Sequence, residues 1–160
     1  MRLITNIFVL LTLALLVLSC GSDDPTDPGD ETPSSMKMST DGKEYSTDDI
    51  TFSKLFSQVK GTYNIGGSDI QTIGITINIP DMEGIPKVGE FGITGFYNET
   101  SGSGSDEVKQ SWAFGDEETC NITSVSGNIM VGTYSFSAHG VSSDNLETMR
   151  SVSGSFEVEY

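Results

Sequence analysis

Basic residues are scarce in this chain of 160 residues, where 8 Lys and Arg stand against 23 Asp and Glu for a formal net charge of −15. Binding to phosphates needs Lys and Arg in quantity, so the composition argues against nucleic acid and anionic membrane surfaces as partners. Two cysteines exclude a disulfide-dense scaffold, and one histidine excludes most His-rich metal sites. The length leaves room for at most one ordinary domain after any processed segment is removed.

Long hydrophobic runs are also absent, and the longest covers residues 7–18, in which only Thr12 is polar. A membrane-spanning helix needs about 20 apolar residues, whereas a secretory signal has a short apolar run after a basic start. The sequence Val17-Leu18-Ser19-Cys20 resembles the bacterial lipobox. We therefore expect residues 1–19 to be a cleaved signal peptide and Cys20 to carry lipid such as palmitate as a membrane anchor. The alternative is an ordinary secreted protein with a cysteine near its cleavage site.

The segment that follows, residues 21–35, contains three of the five prolines, five acids and no base. It cannot bury enough apolar surface to become ordered, so residues 20–35 are predicted to be a lipidated cysteine and an extended acidic tether. The start Cys20-Gly21-Ser22-Asp23-Asp24 resembles Bacteroidota lipoproteins that are exported to the cell surface. A generic polar spacer is the alternative. We expect a lipid-anchored protein of the cell envelope, at the surface or periplasmic face of the outer membrane.

Residues 36–160 have the pattern of an all-β domain. Apolar and polar residues alternate over residues 73–79, 133–138 and 152–160, as in antiparallel strands with one wet face. Asp41-Gly42 marks a hairpin. Weaker strands are predicted over residues 36–40, 43–46, 61–65, 91–97, 108–114 and 119–125, and residues 126–128 mark a turn back into residues 129–138. These patterns predict an antiparallel β-sandwich or small β-barrel of about 8–9 strands, with at most one short helix, around residues 48–60.

Several of these segments together resemble a family of Bacteroidota envelope lipoproteins whose all-β domain has no assigned function. Residues 38–45 are similar to its first hairpin, and residues 72–79 to its long Ile-rich strand. Residues 120–123, 132–138 and 152–158 resemble its closing strands. The resemblance implies an envelope lipoprotein with an all-β domain, and it carries no catalytic residues.

No catalytic constellation is recognisable in the sequence. There is no Gly-x-Ser-x-Gly elbow to accompany His139, and Cys120 is expected to be a small core residue rather than a redox centre. The acidic run Asp116-Glu117-Glu118 is a weak candidate for calcium, although it does not fit an EF-hand. Trp112 and Tyr97 are weak candidates for ligand binding, with the alternative that Trp112 fills the core.

The sequence as a whole favours a non-enzymatic module that binds a glycan, a peptide or an envelope protein of unknown identity. Two other functions stay open at this stage. One is a small-molecule carrier, if the sheet closes into a barrel around a cavity. The other is a glycan hydrolase that uses paired carboxylates, whose separation in space decides the matter.

Overall fold

Antiparallel strands make up most of the part of the chain that the computed structural model describes, which is residues 34–67, 69–102 and 104–160. The predicted signal peptide, Cys20 and most of the tether lie outside this part. The nine strands are β1 (Ser35–Thr40), β2 (Lys43–Thr47), β3 (Ile50–Ser53), β4 (Gln58–Asn64), β5 (Thr72–Asn78), β6 (Gly89–Ser101), β7 (Val108–Ser126), β8 (Ile129–Gly140) and β9 (Met149–Glu159). Short 3₁₀ turns lie at Pro80–Met82 and Gly104–Asp106. The prediction of an all-β domain is confirmed.

The strands form one sheet in the order β2-β1-β9-β8-β7-β6-β5-β4-β3, and this sheet closes into a small barrel. Strands β2 and β3 follow each other in the same direction, and they pair with β1 and β4 at opposite edges of the sheet. In the segment between β2 and β3, Asp49 O accepts a hydrogen bond from Thr62 N of β4 at 2.9 Å. Thr47 Oγ1 donates to Thr62 O at 2.6 Å. The segment from β2 to β3 therefore joins the two edges, so the barrel alternative of the sequence analysis is the one observed.

The up-and-down order gives the barrel two ends with different connections. Ser34 leads into β1 at one end, which we call the entry end, and this end also carries the connections β3–β4, β5–β6 and β7–β8. The opposite end, which we call the far end, carries the connections β1–β2, β4–β5, β6–β7 and β8–β9. Ser34, the first described residue, therefore lies at the end opposite to these last four connections.

The inward-facing side chains follow the alternation that the sequence shows. Ile73, Ile75 and Ile77 on β5 are buried, as predicted from their spacing. Phe114 and Phe136 stack with ring centroids 3.8 Å apart. Each such side chain, when buried, contributes about 1.5–3 kcal/mol to folding. The interior is built from large buried side chains: Met36, Met38, Tyr63, Tyr97, Trp112, Phe114, Tyr134, Phe136 and Phe156.

The helix predicted around residues 48–60 is wrong, because this segment forms β3, a turn and the start of β4. Ile50 and Val59 are buried on paired strands, whereas Leu55 and Phe56 are exposed in the turn between them. The helical spacing arose from mixing core residues with apolar turn residues. The strands predicted over 108–114 and 119–125 are one continuous strand, β7, with register shifts against its neighbours. None of the described helical segments is long and apolar enough to cross a membrane.

Candidate functional site

An ion pair lies inside the mouth of the barrel at the far end. Glu99 lies on β6, two residues from the inward-facing Tyr97. Arg150 lies on β9, two residues from the inward-facing Val152. Arg150 Nε donates to Glu99 Oε1 at 3.0 Å, and Nη2 donates to Oε2 at 3.3 Å. The side chains of Glu99 and Arg150 are 9% and 24% exposed. This two-pronged geometry is the strong form of the Arg–carboxylate interaction.

Two aromatic side chains complete the site below the ion pair. Tyr97 Oη donates to Glu99 Oε1 at 2.9 Å, and the Arg150 guanidinium lies over the Trp112 ring at 4.7 Å from its centroid. The Tyr97 and Trp112 rings meet edge to face, with centroids 5.6 Å apart. We call Tyr97, Glu99, Trp112, Thr148 and Arg150 the Arg150 cluster. A cation over an indole face is attracted by the ring quadrupole, so the ion pair and the aromatic pair stabilise each other.

The β8–β9 connection is fixed to this cluster by hydrogen bonds. Trp112 Nε1 donates to Thr148 Oγ1 at 2.7 Å, and Thr148 Oγ1 donates to Asn145 O at 2.7 Å. Asn145 is itself buried. Its Nδ2 donates to Ser111 O, and its Oδ1 accepts from Ser142 N, both at 2.9 Å. The far end is thus covered by a connection whose polar groups are paired, as burial requires.

The surroundings of Arg150 favour the charged form of its guanidinium. The hydrogen bonds to Glu99 raise the pKa of Arg150 above its ordinary value, although burial opposes them. Burial and the nearby Glu99 carboxylate raise the pKa of Tyr97 as well. Both Glu99 oxygens accept hydrogen bonds, from Tyr97 and Arg150. Glu99 thus holds both Tyr97 and Arg150 in place at the mouth of the barrel.

Trp112 and Tyr97, the candidates for ligand binding, are brought together by the fold but are fully buried. They therefore lie in the core, which is the alternative that the sequence left open for Trp112. Of the adjacent pair Phe96-Tyr97, Phe96 is the residue that faces outward. Neither candidate offers its ring face to a ligand on the surface of the described barrel.

The acidic run Asp116-Glu117-Glu118 lies in the middle of β7, where the pairing with β8 is interrupted. Glu118 Oε1 accepts a hydrogen bond from Ser137 N at 2.9 Å, and so replaces a backbone partner lost at the register shift. Glu117 is exposed, and the side chain of Asp116 lies outside the described part. Over the described residues, no three His, Cys, Asp or Glu side chains lie close enough to hold a metal ion. Calcium binding at these residues stays a prediction.

The two residues that suggested thiol or imidazole chemistry lie apart. Cys120 is a free, fully buried cysteine on β7, and burial raises its pKa to about 12. A thiol with this pKa is protonated at neutral pH and therefore a poor nucleophile. His139 is exposed on the outer face of β8.

The surface around the Arg150 cluster is partly apolar. Val141, Leu146 and Met149, in and beside the β8–β9 connection, are at least half exposed, and so is Val108 at the start of β7. Asp41 Oδ2 lies 3.8 Å from Arg150 Nε at the rim. The far end thus has an ordered frame with aliphatic side chains directed to solvent.

No protein-family model matches the chain, and no curated protein and no solved structure is detectably similar to it. The fold and the local geometry are therefore the basis for any functional conclusion.

The Arg150 cluster was not found by sequence reasoning, although a signal was present. Glu99 and Arg150 occupy inward positions of alternating strands, where a charged residue is unexpected unless it is paired.

Proposed function

We propose that the protein is a lipid-anchored component of the cell envelope that binds a partner without catalysis, through the far end of its barrel. One observation carries the proposal: the tether joins the barrel at the entry end, and the ordered connections with exposed aliphatic side chains lie at the opposite end. An anchor at Cys20 would leave the far end accessible. Apolar groups exposed on a rigid frame are a common feature of protein-binding surfaces.

The chemistry of the far end favours a protein or peptide partner over a glycan. Sugar rings are commonly bound on exposed aromatic faces, and the aromatic rings Trp112 and Tyr97 are buried here. The exposed residues are instead Val141, Leu146 and Met149. Methionine and aliphatic side chains in a setting of polar groups suit the apolar centre of a protein interface.

The two alternative functions receive less support. A carrier needs space inside the barrel, whereas stacked rings such as Phe114 and Phe136 occupy the interior and the Arg150 cluster lies across the mouth. A hydrolase needs two free carboxylates facing one substrate. Glu118 is already hydrogen-bonded to the backbone and Glu99 to Arg150.

Two measurements test the proposal. Mass spectrometry of the mature N-terminus should find an acylated Cys20, and Cys20→Ser should strongly reduce the fraction of the protein that floats with membranes. Photo-crosslinking groups placed at Leu146 and at Thr133, an exposed position on the side of β8, should differ in outcome. We expect a specific adduct from position 146 and none from position 133. An unacylated mature protein would refute the anchor, and identical crosslinking patterns would refute binding at the far end.

A further inference from the structure

Two connections at the entry end are held side by side. Ser57, in the β3–β4 turn, accepts a hydrogen bond from Gly84 N on its Oγ at 2.7 Å and one from Ile79 N on its carbonyl oxygen at 2.8 Å. Gly84 has a φ of +76°, and a Cβ at this position would come 2.5 Å from Lys54 O. Only glycine combines this backbone conformation with such a close approach. The β3–β4 and β5–β6 connections therefore form one surface.

This surface exposes large apolar side chains. Leu55 is 83% exposed and Phe56 65% in the first connection, whereas Ile85 is 72% exposed and Val88 64% in the second. We call these four residues the entry patch. Single exposed apolar residues are normal, but two adjoining connections that each present a pair of them indicate a contact surface. These side chains do not pack into the core, and the geometry of a hairpin turn does not require a Leu-Phe pair.

Charged side chains of both signs surround the entry patch. Lys54 Nζ lies 5.3 Å from the centroid of the Tyr160 ring, and Lys87 Nζ lies 5.7 Å from that of Phe91. Asp81 and Glu83 are on the same connection as Lys87. Exposed Glu90 at the start of β6 and Glu159 at the end of β9 add negative charge at this end. This excess of acids disfavours an anionic surface but does not prevent apolar contact with an uncharged one.

We infer that the entry patch rests on the lipid surface in which Cys20 is anchored, an inference that depends on the lipoprotein assignment proposed above. Ser34 is at this end of the barrel, where its Oγ accepts a hydrogen bond from Glu159 N at 3.1 Å. It follows Cys20 by only fourteen residues. Even a fully extended chain of that length reaches only about 40 Å, at about 3.1 Å per residue. The anchor thus keeps the entry patch at high effective concentration near the bilayer, where a weak apolar contact is enough.

The contact sets the orientation of the barrel. With Leu55 and Phe56 in the interfacial region of the bilayer, the far end and its Arg150 cluster point away from the membrane. A tether by itself would allow the barrel to tumble. The entry patch adds a second point of attachment, so that the far end is presented in one direction.

The test uses the acylated protein reconstituted in phosphatidylcholine vesicles that contain brominated phosphatidylcholine, which quenches indoles at membrane depth. Phe56→Trp places a reporter in the entry patch, and Leu146→Trp places a matched reporter in an exposed aliphatic position of the far end. The native Trp112 is buried and supplies the same background in both variants. We expect quenching and a blue-shifted emission for Phe56→Trp, and neither change for Leu146→Trp.

A second arm uses mature protein with Cys20→Ser, which has no acyl chain. Replacing both Leu55 and Phe56 by Ser should lower its partition into phosphatidylcholine vesicles by at least about tenfold, with little effect of salt. Absence of quenching in Phe56→Trp protein that floats with the vesicles would overturn the inference while leaving the anchor intact. Acylation or flotation failing in the wild-type chain would instead overturn the proposed function.

Discussion

Glu99 and Arg150 face each other across the mouth of the barrel from strands that are not neighbours, because β7 and β8 lie between β6 and β9. Two hydrogen bonds, at 3.0 and 3.3 Å, join the carboxylate to the guanidinium. The pair therefore links β6 directly to β9, two strands whose backbones are otherwise connected only through the hydrogen bonds of β7 and β8. It also places the single Arg of residues 20–160 over the single Trp.

Removal of the Glu99 charge should destabilise the barrel. Glu99→Gln keeps the size of the side chain but leaves Arg150 without its charged partner, so we expect the free energy of unfolding to fall by about 2 kcal/mol in urea denaturation. A fully buried pair would lose about 3–5 kcal/mol, and the partial exposure of Arg150 reduces this. Asp41→Asn is the control, with a loss below about 0.5 kcal/mol because Asp41 is at the exposed rim. Equal losses in both variants would contradict the assignment.

Substitution of Gly95 should be far more disruptive than substitution of Gly92 on the same strand. A Cβ on Gly95 would overlap Thr76 O and come 2.8 Å from Phe114 Cζ, whereas Gly92 has no atom within 4 Å of such a Cβ. Gly95→Ala should lower the free energy of unfolding by about 3 kcal/mol. Gly92→Ala should change it little or raise it slightly, since alanine restricts the unfolded chain. Thermal or urea unfolding of the two variants checks this, and a tolerated Gly95→Ala would refute the packing described.

Stability should fall at alkaline pH. Burial raises the pKa of Cys120 from 9.0 to about 12 and that of Tyr63 from 10.0 to about 12. The folded state thus holds these protons more tightly than the unfolded state. Their contribution is fully present below about pH 9 and is lost as the pH rises toward 12. Urea midpoints measured between pH 7 and 11 should decline from about pH 9 upward.

The variant Cys120→Ala separates the contribution of the thiol from that of the buried tyrosines. It should lower stability at pH 7 through the lost packing and should flatten the decline between pH 9 and 10, which belongs to the thiol. The decline above pH 10 should persist because the buried Tyr63, Tyr97 and Tyr134, whose pKa values are also raised, are unchanged. In the wild type, iodoacetamide should modify Cys120 at pH 8.5 only as fast as the barrel opens. Rapid modification of the folded protein would contradict the burial of the thiol.

Glu118 should matter for stability, and Glu117 should not. Glu118→Ala leaves Ser137 N without its acceptor, which costs about 1–2 kcal/mol for a partly buried group. Glu118→Gln should recover most of this loss because an amide oxygen also accepts the hydrogen bond. Glu117→Ala, at an exposed position, should stay within about 0.5 kcal/mol of the wild type. Urea denaturation of the three variants measures the order, and a neutral Glu118→Ala would argue against a bridging role.

Local patterns predicted much of this fold. Ile73, Ile75 and Ile77 alternate with polar residues, and this period determines both the strand and its buried face. Asp41-Gly42 indicates a hairpin because both residues accept the positive φ that the turn requires. Such features depend on neighbours in the sequence, which is why they can be read without a structure.

Long-range features could not be predicted in the same way. The closure by β2 and β3 depends on partners far along the chain, and the contact of Glu99 with Arg150 joins residues 51 positions apart. The wrong helix has another cause. Leu55 and Phe56 contribute to the apparent helical spacing of residues 48–60, whereas the structure exposes them in a turn. Apolar residues that are exposed break the rule on which a prediction from hydrophobic spacing depends.

The position of β1 between β2 and β9 has a mechanical consequence for a tethered protein. If the anchor and the partner are as we propose, a pull transmitted through Ser34 while the partner holds the far end would act along β1, and the hydrogen bonds to both neighbours lie across that direction. These bonds share the load at the same time instead of opening one after another. Under such a load β1 would be held in shear, the arrangement that best resists being pulled out of a sheet.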